Sequence, residues 1–253
     1  MMTDERQEKI LAYLAQHERA TQQELIELLD VSESTLRRDL MTLEEQGMCR
    51  RVRGGVSARK HTMVSDVLMT SRRTEYQKEK IEIARIASTL IEDGDVIYLD
   101  AGTTVEALIP FLEGKNVQTV TNSLSHAIQL SERQIPVSVV GGELKTITNA
   151  LIGEEALAYL DKYHFTKGFF GTNAIMESGE LLTPDVREAA VKKKAMEHSF
   201  EKYVLADSSK FDKTASVRFG SLHNAALICE DDAILPEGCE VLRILPADDR
   251  CDD

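Results

Sequence analysis

Thr21-Gln22-Gln23-Glu24-Leu25-Ile26-Glu27-Leu28-Leu29-Asp30-Val31-Ser32-Glu33-Ser34-Thr35-Leu36-Arg37-Arg38-Asp39-Leu40 reads as two short helices separated by a tight turn. Thr21-Gln22-Gln23-Glu24 has the form of a capping box, in which the threonine oxygen accepts a backbone N–H and the glutamate reaches back to the cap. Leu25, Leu28 and Leu29 supply the stripe that the helix buries. Asp30-Val31-Ser32 leaves room only for a turn, and Ser32 is placed to cap a helix predicted to run to about Gln46. On that helix Leu36, Leu40 and Leu43 share one face, with Ser34, Arg38 and Thr42 opposite and Arg37 on the flank. A helix-turn-helix whose second helix shows hydroxyls and arginines behind a leucine stripe suits the major groove of DNA.

Working outward, Ile10, Leu11 and Leu14 predict an earlier amphipathic helix over about Asp4 to Gln16. After Gly47, a residue type suited to the left-handed end of a helix, Met48 to Val56 reads as a strand and hairpin tip carrying Arg50, Arg51, Arg53 and Gly54, a basic wing. The chain carries a formal charge of −13, which at first argues against a nucleic-acid partner, but the charge is uneven. Residues 31–60 hold seven basic against four acidic side chains. A local basic face on an acidic body fits a DNA reader joined to a separate sensing domain. An isolated Arg37-Arg38 pair would as readily be a solvated helix face; the capped helices before it and the wing after it favour DNA. The DNA-binding set expected is Thr21, Ser32, Ser34, Thr35, Arg37, Arg38, Thr42, Arg50, Arg51, Arg53 and Gly54.

The periodic apolar signal fades over 58–74, which reads as a linker between a winged helix-turn-helix at 1–57 and an α/β domain at 75–235, with a tail at 236–253. From Glu75 helices and strands alternate: a helix over Lys78 to Ile91, a strand at Val96 to Leu99, a helix over about Thr104 to Leu112, and further strands near 117–120, 137–140, 168–170, 203–205 and 225–228. Such alternation implies a parallel sheet covered on both faces. Polar turns follow the strands: Asp100-Ala101-Gly102-Thr103-Thr104, Thr121-Asn122-Ser123, Gly141-Gly142-Glu143, Gly171-Thr172-Asn173 and Asp207-Ser208-Ser209-Lys210. In an open parallel sheet these ends meet on one edge, where ligands bind. Each turn taken alone is ordinary turn chemistry; five in succession point to a polar ligand, with the Gly102-Thr103-Thr104 backbone offered to a phosphate. Glu188 and Lys192, four apart on a helix, form either a surface ion pair or part of the crevice.

Val31 to Leu40 with Gly47 and Gly54-Gly55 resembles the signature of the DeoR family of bacterial sugar-metabolism repressors. Arg53 and Val56 stand where that family usually has histidine or tyrosine and alanine. The likeness continues through Asp100-Ala101-Gly102-Thr103-Thr104, Thr121-Asn122, Gly141-Gly142-Glu143, Gly153, Glu188 with Lys192, and Ala206 to Phe211. It implies a sensor domain similar to sugar-phosphate isomerases such as ribose-5-phosphate isomerase. Asp100, Gly102, Thr103, Thr104, Asn122, Asn173, Glu188, Lys192, Asp207 and Lys210 are then effector contacts. Thr183-Pro184-Asp185 ahead of Glu188-Ala189-Ala190 looks most like the fructose-operon repressors, which implies fructose 1-phosphate as effector; lactose-operon repressors answering to tagatose 6-phosphate come next.

Two other classes compete. An active sugar-phosphate isomerase would use the same crevice, but has no use for the N-terminal module. An architectural DNA-bending protein would leave the crevice without purpose. The expectation is therefore a non-enzymatic regulator with no cofactor, catalytic residue or metal, whose partners are double-stranded operator DNA and a sugar phosphate. A homo-oligomer, dimer or tetramer, is expected, since one small module seldom buries enough DNA surface. No apolar run approaches a membrane span, and the charged start is unlike a signal peptide. Cys49, Cys229, Cys239 and Cys251 are scattered without metal or disulfide spacing, so reduced thiols and a cytoplasmic location are expected.

Overall fold

Ile10 and Leu14, Leu25 and Leu29, and Leu36, Leu40 and Leu43 recur at helical intervals, and each set is buried on one face of a helix. In the computed structural model these helices are α1 (Thr3–His17), α2 (Gln22–Leu29) and α3 (Glu33–Glu45). The described residues are 3–229 apart from 18, 46, 53, 59–61, 67, 68 and 212, together with 241–243. The chain divides into two units, 1–61 and 62–253.

In the first unit β1 (Arg19–Thr21), β2 (Cys49–Val52) and β3 (Gly55–Ala58) form an antiparallel sheet in the order β1-β3-β2. The three leucine-rich faces close on Ala20, Cys49 and Val56. The predicted capping box is present: Glu24 N donates to Thr21 Oγ1 at 3.2 Å, and Thr21 N to Glu24 Oε2 at 2.7 Å. Ser32 Oγ accepts from Thr35 N at 3.3 Å and so starts α3. Strand β1 has no counterpart in the sequence reading, and it explains Gly55: a Cβ there would sit 2.1 Å from the Ala20 carbonyl oxygen. Asp39, buried in α3, accepts from Arg6 Nε at 2.7 Å and Nη2 at 3.0 Å, which pins α1 to α3.

The second unit opens with β4 (Thr62–Met63), α4 (Met69–Thr74) and α5 (Gln77–Thr89), followed by β5 (Val96–Leu99) and α6 (Thr103–Glu106). Next come β6 (Gln118–Thr121), α7 (Leu124–Glu132), β7 (Val137–Val139), β8 (Glu143–Lys145), β9 (Ala150–Ile152), α8 (Glu154–Leu160) and β10 (Phe165–Gly171). After β11 (Ala174–Ile175) and β12 (Glu180–Thr183) follow α9 (Val186–Glu197), β13 (Ser199–Leu205), β14 (Lys213–Thr214), β15 (Val217–Ser221), β16 (Ala226–Cys229) and β17 (Val241–Arg243).

Seven of these strands form one parallel sheet in the order β17-β16-β13-β10-β5-β6-β7. Side chains alternate across it. Ile97, Leu99, Phe169 and Leu205 pack with Ile83 and Ala87 of α5, while Tyr98, Val120, Phe170 and Val204 pack with residues of α8 and α9. Burial on both faces is why these strands read as unbroken apolar runs.

Three boundaries differ from the sequence reading. The helix expected over 104–112 stops at Glu106 and resumes as a tighter turn, Ile109–Leu112. Pro110 lies in the first positions of that turn, and a proline farther into a helix would remove an N–H and clash with the carbonyl four residues back. Residues 62–74, expected as linker, belong to the second unit: β4 pairs with β14, and Met69 N donates to the Ile147 carbonyl at 3.1 Å. These are main-chain bonds, which leave no apolar period in the sequence. The expected tail contains β17, an edge strand of the sheet beside β16. Its other residues, with Cys239, Cys251, Arg53 and Gln46, lie outside the described residues; Cys49 and Cys229 are buried.

Candidate functional site

The outer face of α3 carries Ser34, Arg37 and Arg38, all exposed, with Thr35 and Thr42 half-buried. Arg37 meets Glu33 at 3.4 Å in an exposed pair that adds little. Arg38 has no side-chain partner among the described residues. The Ser32 hydroxyl lies 3.0 Å from that of Ser34 and 2.9 Å from that of Thr35. Two of the expected contacts also have structural partners. Thr21 Oγ1 is engaged in the cap with Glu24. Arg51 is tied to α3, its Nε donating to Glu44 Oε2 at 2.5 Å and its backbone N to Glu44 Oε1 at 2.9 Å. Arg50 is half-buried on β2 and Gly54 exposed at the hairpin tip; Arg53 is outside the described residues.

At the carboxyl ends of the parallel strands lies a cavity of about 300 Å³ within the second unit. Of the predicted effector residues, Gly102, Thr103, Thr104, Asn173, Lys192 and Lys210 line it; Asp100, Asn122, Glu188 and Asp207 do not. All four of the latter are buried and hold neighbours in place. Asp100 accepts from Lys192 Nζ and from Gly171 N. Burial pushes its carboxyl above the usual range, and Lys192 offsets this only in part. Asn122 Oδ1 accepts from Ala101 N at 2.9 Å, which shapes the turn leading to Gly102. Asp207 caps the Ser208–Lys210 turn through Ser209 N at 3.2 Å and lies 3.4 Å from Lys210 Nζ. Glu188 accepts from Thr148 Oγ1 at 2.5 Å and lies 3.3 Å from Lys145 Nζ. Asn173 lines the cavity, and its Oδ1 accepts from Thr183 Oγ1 at 3.1 Å.

The cavity wall also contains Arg72, Lys80 and Lys213, which sequence reasoning missed. Lys80, 4% exposed, donates to the Arg72 carbonyl, and burial lowers its pKa. A signal for it existed: Lys80 shares the buried face of α5 with Ile83, Ala84 and Ala87, where an unexplained lysine is costly. Arg72 fell in the expected linker, where nothing marked it. Among the described lining residues five are cationic and Glu75 is the carboxylate. With Glu75, Asp100 and Asp207 set against them, two positive charges remain, the complement of a phosphate dianion.

Beside the cavity, Arg73 grips Glu106 with two hydrogen bonds, Nε to Oε1 at 2.7 Å and Nη2 to Oε2 at 2.9 Å. His126, fully buried, has Nε2 3.7 Å from Glu106 Oε2. Burial lowers its pKa from 6.5 to about 4, with Glu106 and the Gly102 backbone offsetting only part. Its ring is therefore neutral near pH 7.

A winged helix-turn-helix followed by a parallel-sheet unit with a cationic crevice defines a ligand-responsive DNA-binding regulator. The comparisons name the family: the DeoR-like helix-turn-helix domain matches residues 6–62 and the DeoR C terminal sensor domain residues 75–232. The chain belongs to the DeoR family of transcription regulators. It is 39% identical over 236 residues to the uncharacterized HTH-type transcriptional regulator FruR of Bacillus subtilis, covering 91% of this chain and 92% of that one. The lactose phosphotransferase system repressor of Streptococcus mutans is 36% identical over 238 residues, covering 92% and 94%. Among solved structures, ribose 5-phosphate isomerase A of Methanocaldococcus jannaschii is similar at a TM-score of 0.41 and 22% identity, covering 53% of this chain and 54% of that one. Among the described residues no helix is long and apolar enough to cross a membrane.

Proposed function

We propose that this chain represses a sugar-utilisation operon in the cytoplasm, bound to its operator as a homo-oligomer and released by a sugar phosphate held in the crevice of the second unit. The observation that carries the reading is the net pair of positive charges in a cavity also lined by hydroxyls and an amide. A phosphate dianion satisfies the charge, and the hydroxyls and the Asn173 amide suit a polyol. Lys210, Lys80 and the Gly102-Thr103-Thr104 turn take the phosphate; Asn173 and Lys192 face the sugar. Fructose 1-phosphate is the first candidate, because the relative at 39% identity bears the name FruR. Tagatose 6-phosphate is the second, on the likeness to lactose phosphotransferase system repressors.

A regulatory, not catalytic, role is supported by the carboxylates. Proton shuttling at a sugar carbonyl needs a base within reach of the substrate. Asp100 is paired with Lys192, and Glu188 with Thr148 and Lys145, both outside the cavity lining, which leaves Glu75 as the one carboxylate among the described lining residues. Titration of the operator complex with a panel of sugar phosphates, followed by fluorescence anisotropy, tests the reading. One member is expected to reduce operator affinity by about 5–150-fold. Turnover of that sugar phosphate by the wild-type chain would instead support an isomerase.

A further inference from the structure

The chain enters the second unit through β4 and α4, and α4 contributes both Arg72 to the cavity and Arg73 to the pair with Glu106. Arg72 Nε is buried without a hydrogen-bond partner among the described residues, although its carbonyl accepts from Lys80 Nζ and, at 3.5 Å, from Thr103 Oγ1. A buried donor left unpaired costs free energy that an anion in the cavity would recover. Glu106 ends α6, the helix whose first residues, Thr103 and Thr104, line the same cavity. Ser125 Oγ lies between the two helices, 3.3 Å from Glu106 Oε2 and 3.6 Å from Met69 Sδ of α4, with one proton to donate.

We propose that Arg72 is a ligand of the effector's anionic group and that the Arg73–Glu106 pair makes α4 the element that passes anion binding to the DNA-binding unit preceding it in the chain. The proposal rests on the cavity being the effector site. A ligand shifts an equilibrium only through contacts that differ between states. The Ala101–Thr104 and Gly171–Asn173 parts of the lining sit at the ends of strands β5 and β10 of the sheet. Arg72 is carried instead by a six-residue helix, held at its start by the main-chain bond from Met69 N to the Ile147 carbonyl and beyond it by the Arg73–Glu106 side-chain pair. An anion bridging Arg72 and the Thr103-Thr104 turn draws α4 toward α6, and the Arg73–Glu106 pair sets the line along which it moves. Without that pair Arg72 follows the anion by a rotamer change while the α4 backbone stays where it is.

The test uses the full-length protein, operator DNA, and fructose 1-phosphate, tagatose 6-phosphate and inorganic phosphate as probes, with calorimetry for probe affinity and anisotropy for operator release. Arg72→Gln is expected to weaken binding of the active probe about ten- to a hundredfold, as loss of a charge-assisted hydrogen bond does. Arg73→Gln and Glu106→Gln are expected to keep probe affinity within about threefold while operator release falls below about twofold, from a normal range of about 5–150-fold. The exchange Arg73→Glu with Glu106→Arg restores release, and Arg73→Lys serves if Arg73→Gln fails to fold. Arg72→Gln binding like wild type, or pair variants releasing operator like wild type, overturns the proposal alone. Wild-type protein that binds none of the three probes overturns the cavity reading and the proposal with it.

Discussion

Asp100 and Lys192 form a buried ion pair at the cavity floor, the lysine lining the cavity and the carboxylate enclosed below it, where it accepts from the lysine ammonium and from Gly171 N at 2.9 Å. Lys192 donates again to the Gly171 carbonyl at 3.1 Å. One pair thus ties the end of β5 to α9 and to the end of β10.

Removing one partner strands the other. Asp100→Ala is expected to lower stability by about 3–5 kcal/mol in urea unfolding, because an uncompensated ammonium remains buried. The double variant Asp100→Leu/Lys192→Met recovers much of that loss. At a temperature where Asp100→Ala is folded, it binds operator but no longer responds to fructose 1-phosphate; a wild-type response would remove this edge of the sheet from sensing.

Lys80→Met separates binding from folding in the opposite sense. The substitution relieves a desolvated cation, so the urea midpoint stays level or rises, while sugar-phosphate affinity falls about tenfold for loss of a charged contact. Thermal shifts with and without ligand read both effects, and unchanged ligand stabilisation would exclude Lys80 from the site.

On α3, Arg38→Ala is expected to weaken operator binding by about 1–3 kcal/mol, the worth of a bidentate base contact. Full affinity in a folded Arg37→Ala/Arg38→Ala protein would take this helix out of the groove.

Arg50 and Arg51 of the wing are expected to diverge. Arg50→Ala lowers the slope of log K against log salt by about 1 with little change in sequence preference. Arg51→Ala instead reduces the stability of the first unit by up to about 1 kcal/mol, since its guanidinium serves Glu44 at a partly exposed site. Equal salt slopes for the two variants would contradict the assignment.

His126 predicts a pH dependence of folding. Its folded-state pKa of about 4 lies below the 6.5 of an exposed ring, so between these values the unfolded chain binds more protons. Stability therefore falls as pH is lowered through that window, by about 3 kcal/mol from this group. His126→Leu removes the titrating ring and is expected to flatten the decline; an unchanged profile would place the acid sensitivity elsewhere.

The sequence by itself determined the local elements and their class. The capping box at Thr21 and Glu24, the leucine intervals of α3 and the apolar strand runs each depend on neighbours within a few residues, so their cause is written where their effect appears. The polar turns after the strands were legible for the same reason, and the parallel arrangement placed them on one edge. Only the tertiary structure decided which of those residues face the cavity. Asp100 and Thr104 stand in one turn and look equally suited to a ligand, yet Asp100 lies under the floor on Lys192 and Thr104 lines the wall. Arg72, Lys80, Lys192 and Lys213 come from separate stretches of chain, and their meeting is set by packing across the sheet edge, which no local period records.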